Sequence, residues 1–312
     1  MLDTDTSAHQ RLTTASDSSE AARIVVAIST VGRPAILLDT LQRIAAQTRQ
    51  PDEIVICAPA VDDVEGTKSA YPHVRIIIGP RGLPHQRNAI IRELGDQDNV
   101  VFFDDDFVPA ARYLEAFEKL LQRNPNVVMA TGKVLADGIG GKGLDFVEAD
   151  RIVAQANQPD DDCPALEDVP NGYGCNMGFR VGVAKRNGLA FDENLPLYAW
   201  LEDVDFGQQL ARHGRVVRCD GLQGVHLGIK SGRQSGVRLG YSQIANPIYL
   251  IGKGTCGWKR GVYMMSRNFA ANVLRSFSPE PWIDRRGRLS GNLMAMRDLL
   301  IGRIAPNRVQ NL

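Results

Sequence analysis

Four apolar residues running straight into three carboxylates, Val100-Val101-Phe102-Phe103-Asp104-Asp105-Asp106, constrain what this chain can fold into more than any other stretch. An unbroken β-branched and aromatic run predicts a strand buried on both faces, as in a parallel sheet. Three acids at its end raise one another's pKa unless a positive group stands among them. A divalent cation supplies that charge, and hard ions such as Mg²⁺ and Mn²⁺ take oxygen ligands. Ligands of open α/β sheets bind beyond the carboxyl ends of the strands, where these acids fall. The run is read as a metal or nucleotide site in preference to a solvated acidic turn.

The flanking sequence supplies the rest of such a sheet. Arg23–Thr30 predicts a first buried strand that ends in the turn Thr30-Val31-Gly32-Arg33-Pro34, with Pro34 opening a helix. Leu37, Leu38, Leu41, Ile44 and Ala45 then recur at helical spacing. Glu53–Cys57 and Val74–Ile78 predict two more strands, and Gln86–Leu94 a helix with Arg87 and Asn88 in its first turn. Beyond the aspartates come a helix through Leu114, Phe117, Leu120 and Leu121, and a strand over Val127–Thr131. Alternating strands and helices of this length predict a mostly parallel α/β sheet with right-handed crossovers.

Later segments carry further candidate chemistry. Asn171–Arg180 holds three glycines and is read as a turn that lets backbone approach a ligand. Tyr198–Leu210 predicts a helix with Glu202, Asp203 and Asp205 in its first turn, which the helix dipole alone would favour. Gly224–Arg233 is read as a flexible loop bringing His226, Lys230 and Arg233 to an anion.

These segments, in this order, resemble the family 2 glycosyltransferases, inverting enzymes of GT-A fold that use nucleotide-diphosphate sugars. The resemblance rests on Ile28-Ser29-Thr30 with Arg33-Pro34, Gly82 through Arg87-Asn88, the DxD-like Asp104-Asp105-Asp106, Asn176-Met177-Gly178-Phe179-Arg180, and Leu201-Glu202-Asp203 with Phe206 and Gly214. It covers roughly Arg23 to Arg233. One departure is plain: Cys57–Val61 stands where the family has an acidic turn that contacts the base.

The resemblance implies Asp203 as the base for the acceptor hydroxyl, oriented by Glu202, and Asp106 with His226 as metal ligands. Thr30, Arg33, Arg87, Asp104, Asp105, Lys230 and Arg233 would bind the donor, with Asp104 or Asp105 on the ribose. Asn176, Met177 and Trp200 would face the acceptor. The implied cofactor is Mg²⁺ or Mn²⁺, the donor a UDP-sugar before other nucleotides, and the acceptor a glycan or lipid-linked hydroxyl in surface polysaccharide synthesis. Two rival readings compete. Asp104-Asp105-Asp106-Phe107-Val108 also fits the haloacid-dehalogenase phosphatase signature, with Asp104 as nucleophile and Asp106 as acid/base, but three strands precede it where that signature follows the first. The other rival is a non-catalytic module that binds sugar nucleotides.

Three regions are expected: a disordered polar leader (1–22), a catalytic domain (23–249) and a C-terminal extension (250–312). The extension carries eleven Lys and Arg against three acids, interleaved with Trp258, Tyr263, Phe269, Phe277 and Trp282. That pattern fits a segment lying on an anionic membrane surface, or a helical appendage with its basic face in water. Zero formal net charge gives no argument for nucleic acid as a partner. Five cysteines without a CxxC pair, no apolar run long enough to span a bilayer and no signal-like leader predict a cytoplasmic protein, peripheral at most to the inner membrane face.

Overall fold

The computed structural model describes residues 22–156, 165–230 and 235–312. Residues 1–21 of the expected leader, and Arg233, lie outside these. The order is β1 (Ile24–Ser29), α1 (Pro34–Ala45), β2 (Glu53–Ala58), α2 (Thr67–Ala70), β3 (Arg75–Ile78), α3 (Leu83–Glu93), β4 (Asn99–Asp104) and β5 (Phe107–Pro109). Next come α4 (Tyr113–Arg123), β6 (Val127–Asp137), α5 (Phe146–Gln155), β7 (Leu166–Asp168), β8 (Asn176–Arg180), α6 (Val181–Arg186), α7 (Glu202–Leu210) and β9 (Arg215–His226). Three helices close the chain: α8 (Gly236–Lys253), α9 (Trp258–Arg275) and α10 (Arg285–Leu300).

Among the described residues nine strands form one sheet, in the order β3-β2-β1-β4-β8-β6-β9-β5, with β7 against β9. Strand alternation builds a core on each face. Val26, Ile28 and Phe103 pack with Leu37 and Leu41 of α1 and Phe117 of α4. Val25, Ala27 and Phe102 pack with Ile90 of α3 and Phe206 of α7.

The α/β class agrees with the sequence, but pairing is parallel only in β3-β2-β1-β4 and between β6 and β9. Strand β8 enters antiparallel between β4 and β6. The Asn171–Arg180 segment, expected to be a ligand-facing turn, thus ends as a strand at the middle of the sheet. Its Gly178 admits the Phe117 ring, which would lie 2.6 Å from an added Cβ. The expected loop at Gly224–Arg233 likewise begins as strand: β9 runs to His226, and Gly224 makes room for Phe107, 2.3 Å from an added Cβ.

The boundary expected at 249/250 falls inside α8, so the helical extension starts near Gly236. Its three helices meet through buried amides: Asn272 donates to Gln243 at 2.9 Å and to Asn292 at 2.8 Å. Among the described residues no helix is long and apolar enough to cross a membrane. Cys57, Cys175, Cys219 and Cys256 are buried.

Candidate active site

The parallel pairing of β1 with β4 sets Ser29 opposite Asp104, so the turn after β1 and the three aspartates emerge side by side. Asp105 points inward. Its carboxylate accepts hydrogen bonds from the Thr30 hydroxyl and from two nitrogens of Arg33, while its carbonyl accepts from Thr40 at 2.6 Å. Complete burial pushes its carboxyl up against the pull of Arg33. This corrects the donor contacts expected of Asp105 and Thr30: both side chains are buried and spent on one another, and what they do is fix Arg33. Asp104 is the member of the run that keeps exposure, with a third of its side chain open.

Two further strand ends complete an acidic cluster. Residue pairing puts His226 of β9 opposite Phe107 of β5 and beside Asp137 of β6. The ring's Nε2 lies 3.6 Å from Asp106 Oδ1 and 3.9 Å from Asp104 Oδ2. Its Nδ1 meets Asp137 Oδ1 at 3.0 Å, and the Tyr173 hydroxyl donates to the other oxygen of Asp137 at 2.8 Å. Burial alone would raise Asp106, but His226, Arg33 and the Ile229 amide (2.8 Å) hold it down at about 2. Burial disfavours the imidazolium, yet Asp106 and Asp137 outweigh it and lift His226 to about 10. One ligand atom each from Asp104, Asp106 and His226 fall within 4.8 Å of one another.

Two carboxylates and an imidazole so placed fit a divalent cation, and the donor types suit Mn²⁺ at least as well as Mg²⁺. With Nδ1 taken by a carboxylate, Nε2 is the nitrogen left for a metal. Asp104, expected on the ribose, belongs to this cluster. Lys230 stands nearby, donating to the Gly138 and Ile139 carbonyls at 3.0 Å each.

The opposite wall is the start of α7. Leu197, Ala199 and Leu201 all take left-handed φ (61°, 51° and 76°), a strained approach that turns Glu202 toward Arg87 and Asp203 toward the Gly174 amide. Half-buried Trp200 lies within this turn, its carbonyl accepting from Asn246 at 2.8 Å. Glu202 is 4% exposed and pairs with Arg87, which also donates to the Gly174 carbonyl at 2.8 Å and reaches Asp104 at 3.5 Å. The Arg87 guanidinium lies over both the Phe102 and Phe191 rings, 5.4 and 5.3 Å from their centroids. Burial pushes Glu202 up to about 8 against the pull of Arg87. Burial also raises Asp203, opposed by the Gly174 amide, which donates to its Oδ2 at 3.0 Å.

Asn176 and Met177 do not sit where an acceptor would meet them. Both are fully buried in β8: Met177 packs in the core, and the Asn176 amide oxygen accepts from Thr131 at 2.8 Å. Asp137 and the Gly174 amide, central to the geometry, were not singled out from the sequence, where an acid after an apolar strand and one glycine among several carry no mark. Asp205 was seen only as a dipole acid. It is wholly buried and held by Lys253 (2.7 Å) and Thr255 (2.6 Å), which ties α7 to the C-terminal helices.

A three-layer α/β sheet with a cation-fitting acid cluster at its strand ends, closed by antiparallel strands and facing an acidic helix start, defines the GT-A type of glycosyltransferase architecture. Solved structures share it: S. aureus TarS 1-349 in complex with UDP-GlcNAc (TM-score 0.54, 13% identity, covering 93% of this chain and 83% of that one) and GalNAc-T7 with UDP, GalNAc and Mn²⁺ (0.52, 12%, 93% and 56%). The sequence model of the family described as "Glycosyltransferase like family 2" matches residues 22–218, and the chain belongs to that family. A glucosyl-dolichyl phosphate glucuronosyltransferase of Haloferax volcanii is 26% identical over 172 residues, 51% of this chain and 52% of the relative. The chain thus spans about half the length of that curated relative.

Proposed function

We propose that the chain is an inverting, metal-dependent glycosyltransferase. It moves a sugar from a nucleotide-diphosphate donor, a UDP-sugar first, to a hydroxyl of a glycan or lipid-linked acceptor. The observation that carries this reading is Arg87, which touches Glu202 and Asp104 at once and so sets the helix with the candidate base and the acid cluster on one cleft. UDP in the TarS and GalNAc-T7 structures and the lipid-phosphate acceptor in the name of the Haloferax relative support the substrate classes. An acceptor on a lipid fits surface polysaccharide synthesis at the inner face of a membrane.

Inversion is a single in-line displacement at the anomeric carbon. Asp203 takes the acceptor hydroxyl's proton, its carboxylate fixed by the amides of Gly174 and Val204. Glu202 is a positioning residue that holds Arg87 across the cleft. Asp104, Asp106 and His226 would hold the cation, which when bound neutralises the departing diphosphate as a Lewis acid. Arg33, 3.6 Å from Asp106, adds positive charge on the same side, and Lys230 is proposed beside it on the diphosphate. The Asp63 carboxylate accepts from the Gly32 amide at 2.6 Å, joining the loop after β2 to the turn after β1 as one wall for the base.

A thermal-shift panel of UDP-, GDP- and dTDP-sugars, with and without Mn²⁺, tests the reading through mass action. A UDP-sugar with Mn²⁺ is expected to raise the melting temperature by several degrees, more than either alone, with no release of inorganic phosphate. Phosphate release would favour the phosphohydrolase. Absence of a shift with any nucleotide would remove the donor from the account.

A further inference from the structure

The structure assigns the outer face of α9 and the turn after it as a docking surface for an anionic lipid bilayer. Large apolar side chains left in water are concentrated toward the last two helices: of the fifteen such exposed residues among those described, eleven lie between Trp258 and Ile301, six of them on α9 and the turn after it and five on α10 or at its end. On α9 Val262 stands one turn from Trp258 and Leu274 three turns from Tyr263, the four exposed side chains spreading over about half of the helix circumference, and Phe277 (84% exposed) extends this surface into the turn. The inner face of α9 is spent on packing, Met264 and Met265 joining the clusters around α8. Exposed apolar surface of this kind marks an interaction site.

Charge decides the occupant. Helix α9 contains Lys259, Arg260, Arg267 and Arg275 and no acid at all. Lys259 lies over the Trp258 ring and Arg267 over that of Tyr263, at 5.7 and 5.9 Å, so cations and aromatics share the exposed face. A second copy meeting this face across a two-fold would bring the same cations together. Single-stranded nucleic acid would stack on the rings but leave Val262 and Leu274 in water. A leaflet with anionic headgroups satisfies both halves, apolar side chains entering the acyl boundary while Lys and Arg stay at the phosphates.

The face is continuous with the cleft. Arg260 donates to Asn171 at 2.9 Å and exerts its charge on Asp203, and Thr255 just ahead of α9 is bonded to Asp205 of α7. Docked through α9, the chain would place its base-bearing wall at the bilayer surface. That orientation deepens the lipid-linked acceptor proposed above and rests on it, whereas the docking itself does not.

Vesicle flotation of the full chain, without donor or acceptor, tests the docking apart from any turnover. The chain is expected to float with vesicles of phosphatidylcholine containing phosphatidylglycerol, at least about tenfold more than with phosphatidylcholine alone, and to be released by high salt. Lys259→Glu with Arg267→Glu should remove that preference, and Trp258→Ala with Leu274→Ser should lower recovery severalfold. All four side chains are exposed, so unchanged melting curves establish that these variants fold. Equal recovery with and without anionic lipid, or undiminished binding by both double variants, overturns the proposal. So does a concentration-dependent dimer that Leu274→Ser abolishes in a chain that ignores vesicles.

Discussion

Asp137 and His226 show how one side chain can set what another offers. The Asp137 carboxylate holds His226 by Nδ1, and Tyr173 braces Asp137 from the far side, so turning the ring breaks its bond to a carboxylate that is itself held in place. Loss of such an outer partner lowers metal affinity about 10–100-fold in other sites. Asp137→Asn is therefore expected to weaken Mn²⁺ binding by that order, read by calorimetric titration in the presence of UDP; unchanged affinity would mean that His226 is not a ligand. Across the cleft, Asp203 has a pKa raised by burial above the ordinary carboxylate value of about 3.9. A base must be unprotonated to act. Falling pH should therefore depress kcat/KM through an acid limb that begins above that value, and Asp203→Asn should remove the limb along with the activity. Arg87 is the most deeply committed residue: Arg87→Met leaves Glu202, already pushed up to about 8, to take up a proton without its partner, and is expected to lower stability by about 1–3 kcal/mol in urea unfolding. No measurable loss would mean that the Arg87 bonds to Glu202 and to the Gly174 carbonyl do not hold this wall together.

At the scale of elements, β1 to β4 with α1 and α3 were legible within a few residues, because apolar runs and helical spacing report burial directly, whereas the four-residue α2 was read as loop. Of the later strands, only the first part of β6 (Val127–Thr131) was legible. Gly178 in β8 and Gly224 in β9 read as loop punctuation, yet each is there so that a phenylalanine ring can lie against a strand. Sequence shows the glycine and not the ring that needs the space. His226 was consequently placed in a flexible loop when it closes a strand, and Asn176 and Met177 were placed before an acceptor when they lie inside the sheet. The strand-end acids and the start of α7 stood out as motifs; that Arg87 and Gly174 connect them could not be read before the chain was folded. Gly178→Ala would press a methyl into Phe117 and the Val100 carbonyl and is expected to destabilise by about 1–3 kcal/mol. No loss on thermal or urea unfolding would mean that β8 has room to spare.

Over the whole molecule, the sheet and the C-terminal helices meet at the wall that carries the candidate base. Lys253 of α8 bridges Asp205 of α7 (2.7 Å) and Asp192 (2.6 Å), so the helical extension braces α7 from behind. The central claim is that this braced wall and the acid cluster opposite it work on one substrate. The most direct measurement compares Asp203→Asn and Asp106→Asn with the unaltered chain in two assays: Mn²⁺-dependent binding of UDP, and consumption of a UDP-sugar. Asp203→Asn is predicted to bind UDP with Mn²⁺ as before while turnover falls at least about 100-fold. Asp106→Asn is predicted to lose the Mn²⁺ dependence of binding itself. Turnover surviving in Asp203→Asn, or metal-dependent binding surviving in Asp106→Asn, would contradict the account.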